Sequence, residues 1–177
     1  MVLRRAAPQD YLSLGRVYCL SWQEGYKHIL PKAFLDSLTA ENCAPKPENI
    51  NSQNNYVTES DGEIVGLVNY GSSRDEASEK TGELRSIYVL PDFWGKGVGA
   101  DLFRAVSQEF DNAGFDGFYL WVLKDNHRAR RFYEKMGMTH TGEERETSIA
   151  GQAFSESKYV LKRQQTLSQT IRETELK

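Results

Sequence analysis

Residues 91–103, PDFWGKGVGADLF, place a Pro-led turn and three glycines within five residues at the start of an amphipathic helix. The helix leaves a β-rich run, GELRSIYVL (82–90), and leads to a strongly apolar one, GFYLWVL (117–123). Strand, helix and strand in that order form a βαβ crossover, the usual way to join two parallel neighbours in a sheet. The apolarity of 117–123 places it at the sheet centre, because an edge strand would expose half of it. Leu102, Phe103, Val106 and Phe110 give the intervening helix, expected to run to about Ala113, one buried stripe. Glycine weakens a helix start unless the backbone must turn left-handed or something must approach it closely.

The first unpaired N–H groups of a helix and its positive dipole end attract phosphate, and side-chain-free residues let it come near. Gly95-Lys96-Gly97-Val98-Gly99 therefore reads as a phosphate cradle, with Lys96 supplying a charge-assisted contact. A ligand-free glycine turn is the alternative. A P-loop is excluded, because Ser or Thr would have to follow Lys96 and Gly97 stands there. A dinucleotide fingerprint does match Gly95-x-Gly97-x-x-Ala100, with Asp125 downstream. Its loop turns directly from strand to helix, however, whereas Pro91-Asp92-Phe93-Trp94 intervenes here, and the chain has one βαβ unit.

On either side of the crossover the chain reads as shorter elements. VLRRAA (2–7) is expected to be a strand, followed by a helix from Pro8 and Asp10 to about His28, carrying Leu12, Leu14, Val17, Tyr18, Trp22 and Tyr26. A second helix is expected over KAFLDSLTAENC after Pro31, then a polar loop. NYVTESDGEIVGLVNYG is the clearest hairpin, turning at Asp61-Gly62, and SSRDEASEKTG is a charged loop. NHRARRFYEKMGM reads as a short helix capped at Gly137, and strands near 138–149 and 152–162 form a closing hairpin. The order β-α-α-β-β-β-α-β-α-β-β defines one mixed α/β domain over 1–163, with a polar tail at 164–177.

The 177 residues, 39% hydrophobic and 27% charged, are enough for one packed core. The net charge of −3 gives no excess of Lys and Arg for a nucleic-acid backbone. No apolar run reaches the roughly 20 residues of a membrane span, and MVLRRAAPQD lacks the apolar stretch of a secretory signal. A cytoplasmic protein is expected. Cys19 and Cys43, the only cysteines, are read as reduced, partly buried thiols. No metal is expected, since the three histidines show no ligand spacing.

Taken together, the strand, the cradle, the helix, the apolar strand, Asn126 and then ARRFYEKMGM resemble the GNAT superfamily of acetyl-CoA-dependent N-acetyltransferases. Its cofactor motif, Gln/Arg-x-x-Gly-x-Gly/Ala, falls on Trp94 to Gly99, with Trp94 in place of the Gln or Arg. Its second signature falls on Asn126, Ala129, Phe132, Tyr133, Glu134, Lys135 and Gly137. The resemblance follows element order over 2–162 and is sequence-specific over about 83–138.

It implies a central, mostly antiparallel sheet, splayed between its two parallel strands, with helices on both faces. Acetyl-CoA would be the co-substrate, with Trp94, Gly95, Lys96, Gly97, Val98, Gly99, Ala100 and Asn126 at the cofactor. Ile87, Tyr88 and Val89 would meet the pantetheine arm on a bulged strand, and the amide at Val89 or its neighbour would polarise the thioester carbonyl. An amine would attack directly. Tyr133 matches the family's general acid beside the sulfur. Glu83 matches the position of the catalytic Glu in the histone-acetylating branch; a solvated strand-edge Glu is the other reading.

Substrate selection would come from the first helices and the last hairpin. Trp22, Tyr26 and His28 fall where the family places the acceptor wall, and Glu24 or Asp36 could help hold a cation there. A small-molecule primary amine is the expected acceptor. A protein N-terminus or lysine is the alternative, as is a non-catalytic acyl-CoA-binding module on the same fold. Homodimers are frequent in the family, and the last hairpin is a candidate contact. No nucleic-acid or membrane partner is expected.

Overall fold

In a computed structural model of the chain, residues 1–50, 52–74 and 80–163 are described; the tail proposed at 164–177 lies outside them. Seven strands make one sheet: β1 (Val2–Arg5), β2 (Asn55–Ser60), β3 (Glu63–Ser72), β4 (Thr81–Val89), β5 (Gly117–Leu123), β6 (Thr139–Ile149) and β7 (Gln152–Lys162). Their spatial order is β1-β2-β3-β4-β5-β7-β6. Only β4 and β5 pair in parallel, joined by the crossover helix α4 (Val98–Asn112), and every other pair is antiparallel.

Helices lie on both faces. Val68, Tyr70, Leu84, Phe118 and Leu120 pack beneath Leu102, Phe103, Val106 and Phe110 of α4. On the opposite face Val57, Val65 and Leu67 pack with Leu14 and Val17 of α1 (Tyr11–Gly25). The alternation of Val65 and Leu67 with Gly66 and Val68 is the period of two that sends successive residues to opposite faces. α1 ends at Gly25, three residues before the expected His28, where the chain leaves helical geometry at Tyr26 (φ −115°, ψ 11°). The helix expected over KAFLDSLTAENC is broken into α2 (Lys32–Asp36) and α3 (Ala40–Cys43). Thr39 breaks it: its backbone is extended, and its side chain accepts from Asn42 N–H to start a new helix. The remaining helix, α5 (His127–Lys135), follows β5.

The base of the β4/β5 pair is set by close packing. Gly82 lies under Phe110 so closely that a Cβ there would overlap the ring. Gly82→Ala is therefore expected to destabilise the protein by about 1–3 kcal/mol through overpacking, read as a lower urea midpoint. An unchanged midpoint would show that Phe110 can move aside.

Candidate active site

β4 and β5 pair over only three residues each, Thr81–Glu83 with Gly117–Tyr119, and then diverge. Opposite β3, the register jumps from Asn69–Ser86 to Tyr70–Leu84, leaving Arg85 as the extra residue of a β-bulge. Beyond the bulge the faces are reassigned. Tyr88 turns to α1, where it meets Tyr18 with ring centroids 4.7 Å apart, while Ile87 and Val89 pack against the α4 core. Leu90 N–H donates to Val65 O at 2.9 Å. The alternation of an antiparallel ladder therefore aims the main-chain groups of Ile87 and Val89 away from β3, into the gap beside β5. The Val89 carbonyl accepts from Ser21 Oγ at 3.0 Å and from Trp94 Nε1 at 2.7 Å, from outside the ladder.

A cleft of about 430 Å³ opens at the end of β4, over the start of α4. Gly95 (φ +75°) and Gly97 (φ +90°), the latter the N-cap of α4, adopt left-handed backbone, and among the described residues no atom beyond the adjoining ones lies within 4 Å of where a Cβ would stand on either. Val98 and Leu102 anchor the first turn in the core, so its N–H groups face an open, side-chain-free surface. Arg128 stacks over the Trp94 ring at 3.4 Å and borders the cleft. It has no ion pair or hydrogen bond among the described residues.

A second cleft, of about 300 Å³, lies on the α1 side of the gap and is walled by Trp22, Tyr26, Tyr88, Trp121, Leu123 and Glu156. Trp22 centres an aromatic wall, 5.0 Å from Tyr18, 4.9 Å from Tyr26 and 6.1 Å from Phe34 by ring centroids. The two clefts share Ile87, Val89, Arg128, Ala129 and Tyr133. Tyr133 projects from α5 into that junction and is buried. Burial, reinforced by Tyr26 and opposed by Arg128, pushes its phenol well above the ordinary value, so it stays protonated at neutral pH and can act as a donor. Asn126 caps α5 by accepting from Ala129 N–H at 3.1 Å and borders the second cleft beside Tyr26.

The cradle residues Trp94, Gly95, Gly97, Val98, Gly99 and Ala100 thus lie together, with Ile87 and Val89 at their edge. Lys96 does not line either cleft; it is exposed, its ammonium 5.1 Å over the Phe93 ring. The Tyr88 ring is on the second cleft, not in the cradle. Glu83 is buried at the root of the gap, outside both linings. Its carboxylate accepts two bonds from Arg74, at 2.6 and 2.8 Å, with Arg85 Nε 3.9 Å away. Glu24 and Asp36 do not line the second cleft either, because each is paired locally, with Lys27 and Lys32. Exposed His28 stays outside as well. Of the three arginines of α5 only Arg128 reaches the clefts; Arg130 donates to Tyr159 Oη and Lys124 O. Sequence reasoning overlooked Arg85, Trp121, Ser21 and Glu156.

Residues 16–138 match the acetyltransferase (GNAT) family, and the chain belongs to it. An N-acetyltransferase of Archaeoglobus fulgidus is 32% identical over 135 residues, 75% of this chain and 89% of that one. The PaiA N-acetyltransferase of Thermoplasma acidophilum, solved with coenzyme A, has the same fold (TM-score 0.67, 18% identity, 88% of this chain and 96% of that one). So does YncA of Salmonella typhimurium, solved with acetyl-CoA (TM-score 0.70, 19% identity, 94% and 95%). The protein is an acetyl-CoA-dependent N-acetyltransferase. The cradle, the main-chain groups freed by the bulge and unpaired Arg128 suit a long, phosphate-bearing thioester. Among the described residues, no three His, Cys, Asp or Glu side chains gather to hold a metal, and no helix is long and apolar enough to cross a membrane.

Tyr18, Tyr26, Tyr88 and Tyr133 all have raised phenol pKa values, chiefly through burial, with Tyr18 at about 12. Unfolded phenols ionise near pH 10. Above that pH the unfolded chain loses protons that the folded protein keeps, so the stability is full below pH 10 and falls as pH rises toward the folded values. Each phenol adds a slope of up to about 1.4 kcal/mol per pH unit. Urea unfolding between pH 9.5 and 11.5 is expected to show this fall, and Tyr133→Phe to remove one phenol's share. Equal slopes in both proteins would contradict the burial of Tyr133.

Proposed function

We propose that the protein transfers acetyl from acetyl-CoA to the primary amine of a small molecule, by direct attack in a ternary complex. The observation that carries this reading is Tyr133, which forms part of the wall of both clefts and so stands where a thioester entering from the cradle would meet an acceptor entering from the aromatic side. Acetyl-CoA supplies an activated acyl group, and the chain's residues position it and move protons. The amides of the first turn of α4 hold its phosphates, with Arg128 adjoining. The Ile87 main-chain groups orient the pantetheine, and the Val89 N–H polarises the carbonyl as negative charge develops on its oxygen. Holding both reactants at one junction replaces a bimolecular encounter with an oriented one.

The C–N bond forms from the neutral amine as the C–S bond breaks; Tyr133 donates its proton at the departing sulfur, a role suited to a phenol that burial keeps protonated, and the proton released from the nitrogen restores the phenol. Glu83, tied to Arg74 at the root of the gap, supports the β4 bulge in this reading rather than receiving the amine proton. The aromatic wall of Trp22 and Tyr26 and the small volume of the cleft, about 300 Å³, favour a small acceptor over a peptide chain.

Tyr133→Phe is expected to lower kcat by roughly 100-fold or more, measured by thiol release, while the calorimetric Kd for coenzyme A changes less than about twofold. A variant that turns over as fast as the parent would remove Tyr133 from the proton path. Coenzyme A failing to bind the parent protein would remove the cradle itself.

A further inference from the structure

We propose that the acceptor carries, in addition to its amine, an anionic group, a carboxylate or similar oxyanion, and that Arg85, Trp121 and Trp22 form the subsite for it. The proposal rests on the acetyl-transfer reading above and names the class of acceptor. Five buried side-chain polar atoms of the described residues have no hydrogen-bond partner, and three of them belong to the wall of the second cleft: Trp22 Nε1, Arg85 Nε and Trp121 Nε1. All three are N–H donors. A buried donor left without an acceptor keeps its desolvation cost uncompensated, and the cost is larger when the donor is charged. A ligand that brings acceptor oxygens recovers that cost, whereas an ammonium, a donor itself, cannot.

The geometry gathers two of these donors at one level. Glu83 and Tyr119 are the last paired residues of the parallel strands, and Arg85 and Trp121 follow two residues further along β4 and β5, where the strands have separated and both side chains line the second cleft. Arg85 has only a long ion pair there. The nearby Glu83 carboxylate takes its short bonds from Arg74, and Arg85 Nε stays 3.9 Å away, beyond hydrogen-bond reach. The other Arg85 contact is to the neutral Ser72 carbonyl, at 3.3 Å. Trp22 is the weaker member, since the Tyr88 phenol lies close to its N–H without an aligned hydrogen bond.

The charge balance of the wall points the same way. Arg85 and Arg128 line the cleft, while its one carboxylate, Glu156, already accepts from Arg145 Nε at 2.7 Å. Val89, at the junction with the cradle, is four residues from Arg85 along β4, or about 13 Å of strand at 3.3 Å per residue. Amine and anion therefore bind at opposite ends of the cleft, and its volume of about 300 Å³ is that of a small-molecule site.

The test is an acceptor panel with the coenzyme A Kd measured alongside. Each amino acid, in the α series and in a linear ω-amino series of increasing length, is compared with its amide and its decarboxylated amine; polyamines complete the panel. The expected result is a kcat/KM at least tenfold higher for an acid than for its amide and amine partners. Arg85→Gln is expected to lower that value roughly 10- to 100-fold, to leave the neutral amines within about threefold, and to leave the coenzyme A Kd unchanged. Equal or better turnover of the amides, the decarboxylated amines or the polyamines overturns the subsite, while the acetyl-transfer reading stands. If the protein saturated with coenzyme A shows no carboxylate-dependent binding of any panel acid at millimolar concentration, the subsite is likewise overturned. Loss of coenzyme A binding in the parent protein would instead strike at the reading on which it rests.

Discussion

Three paired residues hold β4 and β5 together, and the divergence beyond them makes everything else in the site available. A parallel strand at the centre of a sheet normally has both edges engaged, so its main-chain groups are spent on neighbours. Here the upper halves of both strands each keep one neighbour, β3 for β4 and β7 for β5, and present their free edges to one another. The bulge at Arg85 gives this gap two dissimilar sides. It sends the Tyr88 ring toward α1 and its aromatic cluster, and the Ile87 and Val89 side chains toward the α4 core, so the same gap is apolar and glycine-lined on one side and aromatic and polar on the other. A regular strand would not divide the space in that way.

How much of this was legible depended on the range of the interaction. The Asp61-Gly62 hairpin and the left-handed glycine at the start of α4 are local backbone requirements, and the sequence states them outright. The break in the helix after Pro31 is local too, but Thr39 and Asn42 form their cap through side chains that a pattern of apolar spacing does not register. The pairing of Glu24 with Lys27 and of Lys32 with Asp36 was readable at helical spacings of three and four, and it removes both carboxylates from any role with a cationic acceptor. The partnership of Glu83 with Arg74 had no such signal, because it joins the start of β4 to a charged loop brought close only by the sheet. Arg85 was hidden for a related reason: its place in the cleft follows from a register shift against β3, which only pairing reveals.

Trp94 is where the chain leaves its family's motif, and its contacts give that departure a physical meaning. Its indole N–H and the Ser21 hydroxyl both donate to the Val89 carbonyl, and its ring supports the Arg128 guanidinium. Ser21 belongs to α1, on the acceptor side, Trp94 to the approach of the cradle, and Arg128 to α5, which also carries Tyr133. One carbonyl at the end of β4 thus ties α1 to the glycine loop before α4, with the stacked arginine joining α5. Two donors on a single carbonyl oxygen fill both its lone pairs, so the Val89 carbonyl has no acceptor capacity left for β5. Where a Gln or Arg would offer a side chain to a ligand, Trp94 commits its one polar atom to the Val89 carbonyl and so to the frame of the cleft.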